Sequence, residues 1–308
     1  MPRSAGTVAA GPKPSWLRMR LETGPNFSLV RGMVQGLGLH TVCQEARCPN
    51  IYECWGDRTA TFMVLGDVCT RSCGFCAVAT GRARPVDPQE PEHIAEAVRH
   101  LDLRHAVITM VDRDDLPDGG AGHVAAVIRA VRRRNPECEV EILTSDFRGV
   151  ERPLGMILPE GPVTFSHNIE TVPRLYPTVR PGSRFERSVG LLKEAIRWRG
   201  PAARPLVKTS LMVGLGEGAD ELGAIFARLA DEGVEILTVG QYLRPTLLHL
   251  PVARYYHPDE FAALRDQALS LGFRHVEAGP LVRSSYHARR HPESAVSHSP
   301  LDRAAGNP

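Results

Sequence analysis

The stretch "TATFMVLGDVCTRSCGFCAVATG", residues 59–81, runs from a strand-like segment straight into three cysteines, Cys69, Cys73 and Cys76. Its first part, "TFMVLG" (61–66), is short, apolar and closed by glycine, the pattern of a buried strand that ends in a loop. A structural zinc site usually draws its ligands as two close pairs on separate turns. Here the spacing is C-x3-C-x2-C, three ligands on one loop. Three thiolates leave one iron of a four-iron cluster without a protein ligand, and catalysis at a metal uses such an open position. Thioredoxin-type chemistry would use Cys73 and Cys76 and give Cys69 no role. A zinc ion with a remote fourth ligand is the alternative.

Outward from this loop the chain alternates between two periods. Further β-rich runs occur at "HAVITMV" (105–111), "EVEILT" (139–144), "VTFSHN" (163–168), "LVKTSLMVGL" (206–215) and "VEILTVGQY" (234–242). Between and after them lie "EHIAEAVRHL", "GHVAAVIRAVRRR", "RSVGLLKEAIRW", "ELGAIFARLADEG" and "DEFAALRDQALSLG", with apolar residues at helical spacing. Gly233 and Gly272 read as helix stops. Strands alternating with such helices predict parallel βαβ units, arranged as an open partial barrel or as a doubly wound sheet. In both folds ligands gather at the carboxyl ends of the strands. Residues 1–60 and 275–308 fall outside the alternating core, 61–274, and read as an N-terminal and a C-terminal extension.

Composition excludes several classes. The 308 residues are 43% hydrophobic and 23% charged, as in ordinary globular proteins. A formal charge of +2, from 37 basic and 35 acidic residues, gives no bulk field for nucleic acid. The basic run "RAVRRR" (129–134) reads as the solvated face of a helix. No apolar run approaches the roughly 20 residues of a membrane span. The N-terminal "MPRSAGTVAAGPKPSW" lacks the apolar core of a signal peptide and reads as a disordered tail. A cytoplasmic chain with no membrane partner is expected. Seven cysteines are an odd number for a disulfide framework, and in a reducing compartment clustered cysteines bind metal or do chemistry. Only Cys138 stands apart, and it reads as a partly buried, inert thiol.

A second trio, Cys43, Cys48 and Cys54, lies in "CQEARCPNIYECW" with spacing C-x4-C-x5-C. Spacing alone leaves a zinc knuckle open for it. The C-x3-C-x2-C loop after the first strand of a βα array resembles the radical S-adenosylmethionine superfamily. Both trios, with the words around them, resemble the lipoyl synthase family. The resemblance rests on "EARCPNIYECW", "TATFMVLGDVCTRSCGFCAVATG", "VDRDDLPDGGA", "SHNIETVPRLYPTVRPG", "LMVGLGE", "GQYLRPT" and "GPLVRSSYHA", and runs from about Glu45 to Ala288. The tails, 1–15 and 292–308, lie outside it and read as solvated.

The resemblance implies an α/β fold, a partial (β/α)6 TIM-like barrel with N- and C-terminal extensions. It implies two [4Fe–4S] clusters and S-adenosylmethionine. One cluster, on Cys69, Cys73 and Cys76, would bind the cofactor at its open iron and generate a 5′-deoxyadenosyl radical. The other, an auxiliary cluster on Cys43, Cys48 and Cys54, would be completed by a serine of the R-S-S-Y motif. That role is carried to Ser285, with Ser284 the second choice, although residue by residue both serines read as a turn or cap. The implied reaction is a radical sulfurtransferase reaction. Two sulfur atoms, donated by the auxiliary cluster, enter carbons 6 and 8 of a protein-bound octanoyl-lysine. The implied partners are octanoylated lipoyl domains of 2-oxoacid dehydrogenases and the glycine-cleavage H protein. An electron donor such as ferredoxin or flavodoxin and an iron–sulfur carrier for cluster repair are also implied.

Other strand-end residues read as the cofactor's surroundings. Asn168 and Glu170 are candidates for its ribose or amino group, and Arg180 for its carboxylate; each also reads as a structural loop residue. In "DRDDLPDGG" (112–120) the carboxylates read equally as helix caps, Asp118 above all, or as a substrate loop. The glycines of "VGLGEG" (213–218) are expected to let the backbone approach the adenine side of the cofactor. Met110 stands where the resemblance leads one to expect serine. A rival of another class is a non-catalytic iron–sulfur carrier or zinc module, but a carrier closes each cluster with four protein ligands and needs no large βα array.

Overall fold

The run before the cysteine loop is a strand buried on both faces, as a parallel sheet covered by helices requires. The computed structural model describes residues 11–18, 23–56, 60–150, 152–199 and 204–292. Its strands are β1 (His40–Thr41), β2 (Thr61–Val64), β3 (Val68–Cys69), β4 (Ala79–Thr80) and β5 (His105–Met110), then β6 (Glu139–Leu143), β7 (Thr164–Ser166), β8 (Leu206–Val213), β9 (Ile236–Gln241) and β10 (His275–Gly279). The helices are α1 (Pro25–Gly36), α2 (Val42–Glu45), α3 (Ile51–Gly56), α4 (Glu90–His100) and α5 (Ala121–Arg134), then α6 (Leu154–Ile157), α7 (Tyr176–Val179), α8 (Phe185–Arg197), α9 (Ala219–Asp231) and α10 (Pro258–Ser270).

The main sheet has the order β1-β2-β5-β6-β7-β8-β9-β10. All neighbours from β2 onward are parallel, and only β1 runs antiparallel, to β2. Strands therefore follow one another in chain order, with the β3–β4 ribbon set apart. A doubly wound sheet reverses its order near the middle; this one does not, and so winds as a barrel. β1 and β10 end the order and, among the described residues, do not pair with each other, which leaves the barrel open. Beyond the six expected strands, β10 adds a seventh parallel one, beginning at the residue after the boundary expected at 274.

The helices form where their apolar stripes demand it. In α5, Val124, Val127, Ile128 and Val131 are buried at three- and four-residue spacing, while Arg132, Arg133 and Arg134 face the negative end of the helix dipole. Asp118 caps its start, accepting from the N–H groups of Gly120 and Gly122 at 2.9 Å. The basic run is the solvated face expected, its arginines paired with Glu92 and Glu160. Gly233 and Gly272 close α9 and α10 at φ +89° and +104°, where a Cβ is disfavoured. Phe62, Phe165 and Phe226 are fully buried, each worth about 1.5–3 kcal/mol of transfer free energy. At the amino ends of the strands the interior is polar: Lys208, fully buried, donates to Glu141 at 2.7 Å.

Of the stretches expected to be tails, 1–10 and 293–308 lie outside the described residues. Gly11–Lys13 are exposed, whereas Pro292 is buried. Cys138 is buried and inert by placement, its thiol pushed up to about 11 chiefly by burial.

Candidate active site

Ribbon β3–β4, paired through Val68–Ala79 and Cys69–Thr80, opens the cysteine loop at the carboxyl end of β2. Arg71 is the loop's anchor. It is 6% exposed, donates to Asp114 through Nε and Nη2 at 2.8 and 2.7 Å, and meets Asp112 and Asp146 through Nη1 at 3.2 and 2.6 Å. The Thr70 N–H and hydroxyl both donate to the Asp112 carbonyl, at 3.0 and 2.9 Å. The carboxylates of "DRDD" are thus engaged: Asp112 and Asp114 hold the cysteine loop, and Asp115 pairs with Arg113 at 2.8 Å. Of the three, only Asp112 also faces the cavity, and burial raises its carboxyl against the opposing charge of Arg71.

The far end of the loop is clamped by backbone. The Gly74 N–H donates to Val179 O at 2.9 Å, and the Leu250 N–H donates to Gly74 O at 3.0 Å. A Cβ on Gly74 would lie 2.8 Å from the Leu250 side chain and 3.1 Å from Thr178 O, so glycine is the residue that fits. Phe75 packs into the apolar cluster of Val179, Leu215, Tyr242 and Val252. The His249 ring lies 2.9 Å from Cys76 O. Burial pushes the Cys69 thiol up to about 11, with Asp112 adding to it, and the Cys73 thiol to about 12 against the pull of Arg180.

Cys43 sits in α2, Cys54 in α3 and Cys48 on the turn between them. The Cys48 N–H donates to Cys43 O at 3.0 Å, and the Cys54 N–H to Asn50 O at 2.9 Å. The C-terminal segment is latched across this trio. Asn50 donates to Leu281 O at 2.8 Å, the Tyr286 hydroxyl to Glu53 at 2.9 Å, and the Thr61 hydroxyl to Ser285 Oγ at 2.9 Å. The Thr61 backbone also bonds the Cys43 sulfur, so Ser285 and Cys43 share a neighbour. Burial pushes the Cys43 thiol up to about 11. Arg283, held by the carbonyls of Gln241 and Val282 at 3.2 and 2.7 Å, turns its charge toward Cys48 and Glu170.

Two adjoining cavities, of about 390 and 220 Å³, lie between Cys48 and the cysteine loop. Cys48 and Arg283 line the larger; Cys69, Cys73 and Arg180 line the smaller; Cys76, Asn168, Glu170 and Ser284 line both. Ser284 rather than Ser285 reaches the cavity walls, while Ser285 stays with Thr61. Met110 lies in the wall of the smaller cavity beside Thr109.

Asn168, Glu170 and Arg180 come together. Asn168 donates to Glu170 at 2.9 Å, and Arg180 Nη1 donates to Asn168 O at 2.7 Å. Arg180 is buried, yet its Nε has no hydrogen-bond partner among the described residues, and a guanidinium donor of this kind can take a carboxylate. Glu170 adopts φ +67°, a strained conformation for a side-chain-bearing residue, fixed by bonds from its N–H to Ser210 O and to its O from the Met212 N–H. Burial raises its carboxyl while Arg180 and Asn168 oppose. Below it, His167 is fully buried, its Nδ1 2.8 Å from Thr144 O and its Nε2 2.9 Å from Ser188 Oγ.

The glycine loop differs from expectation. Residues 213–218 line neither cavity. A Cβ on Gly214, at φ +99°, would lie 2.1 Å from Gln241 Nε2 and 2.6 Å from Arg254 O, so the close approach is to the protein itself. Glu217 folds back to accept from the N–H groups of Gly214 and Leu215, at 2.6 and 2.9 Å.

The thiols fit iron–sulfur clusters by their chemistry. Each trio offers three soft thiolates from one short segment, and no cysteine outside the two trios lines the cavities, a donor set that leaves one iron of a four-iron cluster open.

The chain is similar to known proteins over most of its length. The sequence model of the Radical SAM superfamily matches residues 63–229, and that of the N-terminal domain of lipoyl synthase of Radical_SAM family matches 7–48. The likeness therefore begins well before Glu45 and takes in part of the stretch expected to be an unrelated tail. The lipoyl synthase of Rubrobacter xylanophilus is 55% identical over 92% of this chain and 87% of its own. That of Halalkalibacterium halodurans is 53% identical over 90% of each. Among solved structures, Streptococcus suis SuiB bound to precursor peptide SuiA gives a TM-score of 0.55 at 12% identity, over 75% of this chain and 52% of that one. SuiB bound to S-adenosylmethionine gives 0.53 at 12%, over 85% and 58%. These two share the fold.

Open barrel and three-cysteine loop together define a radical S-adenosylmethionine enzyme. Within that superfamily the chain belongs to the lipoyl synthase family. It is a radical sulfurtransferase whose cofactors are S-adenosylmethionine and [4Fe–4S] clusters.

Proposed function

We propose that the joined cavities are where two sulfur atoms are inserted into carbons 6 and 8 of an octanoyl-lysine on a lipoyl-carrier protein. The supporting observation is that Cys48 of one trio and Cys69, Cys73 and Cys76 of the other line adjoining cavities that share Cys76, Asn168 and Glu170 in their walls. Cys69, Cys73 and Cys76 would hold one [4Fe–4S] cluster, and Cys43, Cys48 and Cys54 with Ser285 the other. When bound, the first supplies the electron that splits S-adenosylmethionine into methionine and a carbon radical, and the second supplies sulfur.

The chain's own residues position and shield. Arg180 offers its unpartnered Nε to the cofactor's carboxylate, and Glu170 and Asn168 receive its amino group or ribose. Met63, Met110 and Leu143 give the smaller cavity apolar walls that keep water from a radical. Burial raises the Cys48 thiol, and the positive charge of Arg283 beside it works the other way, toward the thiolate that a cluster needs. In the same reading residues 1–60 carry the sulfur-donating cysteines, 61–274 the barrel, and 275–308 the serine motif. Lipoyl domains of 2-oxoacid dehydrogenases and the glycine-cleavage H protein are the carriers, with ferredoxin or flavodoxin as electron donor, an iron–sulfur carrier for repair, and the cytoplasm as location. Among the described residues no helix is long and apolar enough to cross a membrane.

Single-cysteine variants test the division of labour. Cys73→Ala should lose cofactor cleavage and about half of the iron; Cys48→Ala should still cleave the cofactor but yield no thiolated product. Cleavage by the first variant, or lipoyl product from the second, would reject the assignment.

A further inference from the structure

Away from the cleft, a second set of metal-ligating side chains converges on the C-terminal segment. His275 and Glu277 stand two residues apart on β10, so both project from the same face of the strand. His291 approaches them from beyond the serine motif. One donor atom from each residue lies within 4.8 Å of the other two. The His275 and His291 rings are 4.7 Å apart between centroids. His291 Nε2 is 2.8 Å from one Glu277 oxygen, and His287 Nδ1 is 2.8 Å from the other. His291 is completely buried, and its Nδ1 has no hydrogen-bond partner among the described residues. A wholly buried nitrogen left without a partner costs free energy unless something else satisfies it.

We propose that His275, Glu277 and His291 bind a divalent transition-metal ion, with zinc the fitting member of the class. Two imidazoles and one carboxylate suit a borderline ion and not calcium or magnesium, which take all-oxygen shells. Zinc bonds of about 2.0–2.2 Å place tetrahedral donors roughly 3.4 Å apart, within reach of small side-chain rotations from the present arrangement. Burial, with the neighbouring charge of Lys208, keeps the His291 imidazole neutral, the form that donates a lone pair. Lys208 is itself neutralised by Glu141 at 2.7 Å, which limits its repulsion of a cation. His287 is placed to orient Glu277 from behind, as outer carboxylate–imidazole contacts do at metal centres.

The ion would join β10 to the segment around His291 and close a loop that contains Ser284 and Ser285. Its role is to hold this segment in register against β10 whatever partner Ser285 has at a given moment. It does not depend on the reaction assigned to the cleft.

The test uses cluster-loaded protein, prepared without oxygen so that iron occupies the thiols, exposed to zinc and then dialysed against metal-free buffer. Zinc and iron are counted by elemental mass spectrometry. About one zinc per chain is expected, with a loss of at least tenfold in retained zinc in both His275→Gln and Glu277→Gln and unchanged iron. Failure of the parent protein to retain zinc overturns the proposal, as does undiminished zinc in the two variants. Cobalt in place of zinc decides the matter on the parent protein alone, whether or not the variants fold. Visible bands of nitrogen- and oxygen-bound cobalt support the site, and a thiolate-to-cobalt charge-transfer band contradicts it.

Discussion

The Thr61 hydroxyl donates to Ser285 Oγ across 2.9 Å, joining the first residue of β2 to the serine motif 224 positions later. Thr61 also faces the Cys43 sulfur through its backbone, so this one contact sets the serine beside the second cysteine trio. Ser284, its neighbour, instead borders the cavities. The two serines should therefore separate by variant. Ser285→Ala is expected to keep cofactor cleavage, lose iron from the second site and make no thiolated product. Ser284→Ala is expected to keep its iron and make product with a changed KM. Iron analysis and product mass spectrometry distinguish them; the reverse pattern would transfer the role to Ser284.

Arg180 yields a prediction about cofactor affinity. Its buried guanidinium spends one donor on Asn168 O and leaves Nε for a carboxylate. A charge-assisted hydrogen bond is worth about 1.5–3 kcal/mol. Arg180→Gln should weaken S-adenosylmethionine binding roughly 10- to 100-fold, while iron content stays constant. Equilibrium binding to cluster-loaded protein measures this, and unchanged affinity would remove Arg180 from the cofactor site.

His167 makes stability depend on pH. Burial and the nearby charge of Arg180 hold its imidazole down to about 4, from an ordinary value near 6.5. The neutral ring donates from Nδ1 to Thr144 O and accepts the Ser188 hydroxyl at Nε2. Between pH 6.5 and 4 the unfolded chain therefore binds a proton that the folded chain refuses. The contribution is fully present above pH 6.5 and is lost as the pH falls through that window, up to about 3 kcal/mol. Denaturant titrations at pH 7 and pH 5 should show the loss, and His167→Gln should flatten the difference. Equal slopes in both proteins would show that His167 is not the group responsible.

Much of the barrel was legible because parallel strands buried on both faces are written as continuous apolar runs, and each is followed by a helix with a clear stripe. The short edges were not: β1 has two residues, and β10, "HVEAG", carries a charge and two small residues in five positions. Helix α1 was hidden for a related reason, since Gly32 and Gly36 dilute its pattern. At the site, the cysteine loop announced itself through spacing within one turn of chain. Arg71 gave no such signal, because Asp112, Asp114 and Asp146 reach it from 41 to 75 residues away. The glycines of 213–218 do signal close backbone approach, but sequence cannot say to what. Gln241 and Arg254 occupy that place.

The most direct test of the account is product analysis from protein carrying both clusters, given S-adenosylmethionine, a reductant and an octanoyl-lysine peptide. The account predicts a peptide bearing two new sulfur atoms, with roughly two 5′-deoxyadenosines released for each. Deoxyadenosine released with no sulfur entering the peptide, from protein shown to hold both clusters, would contradict it.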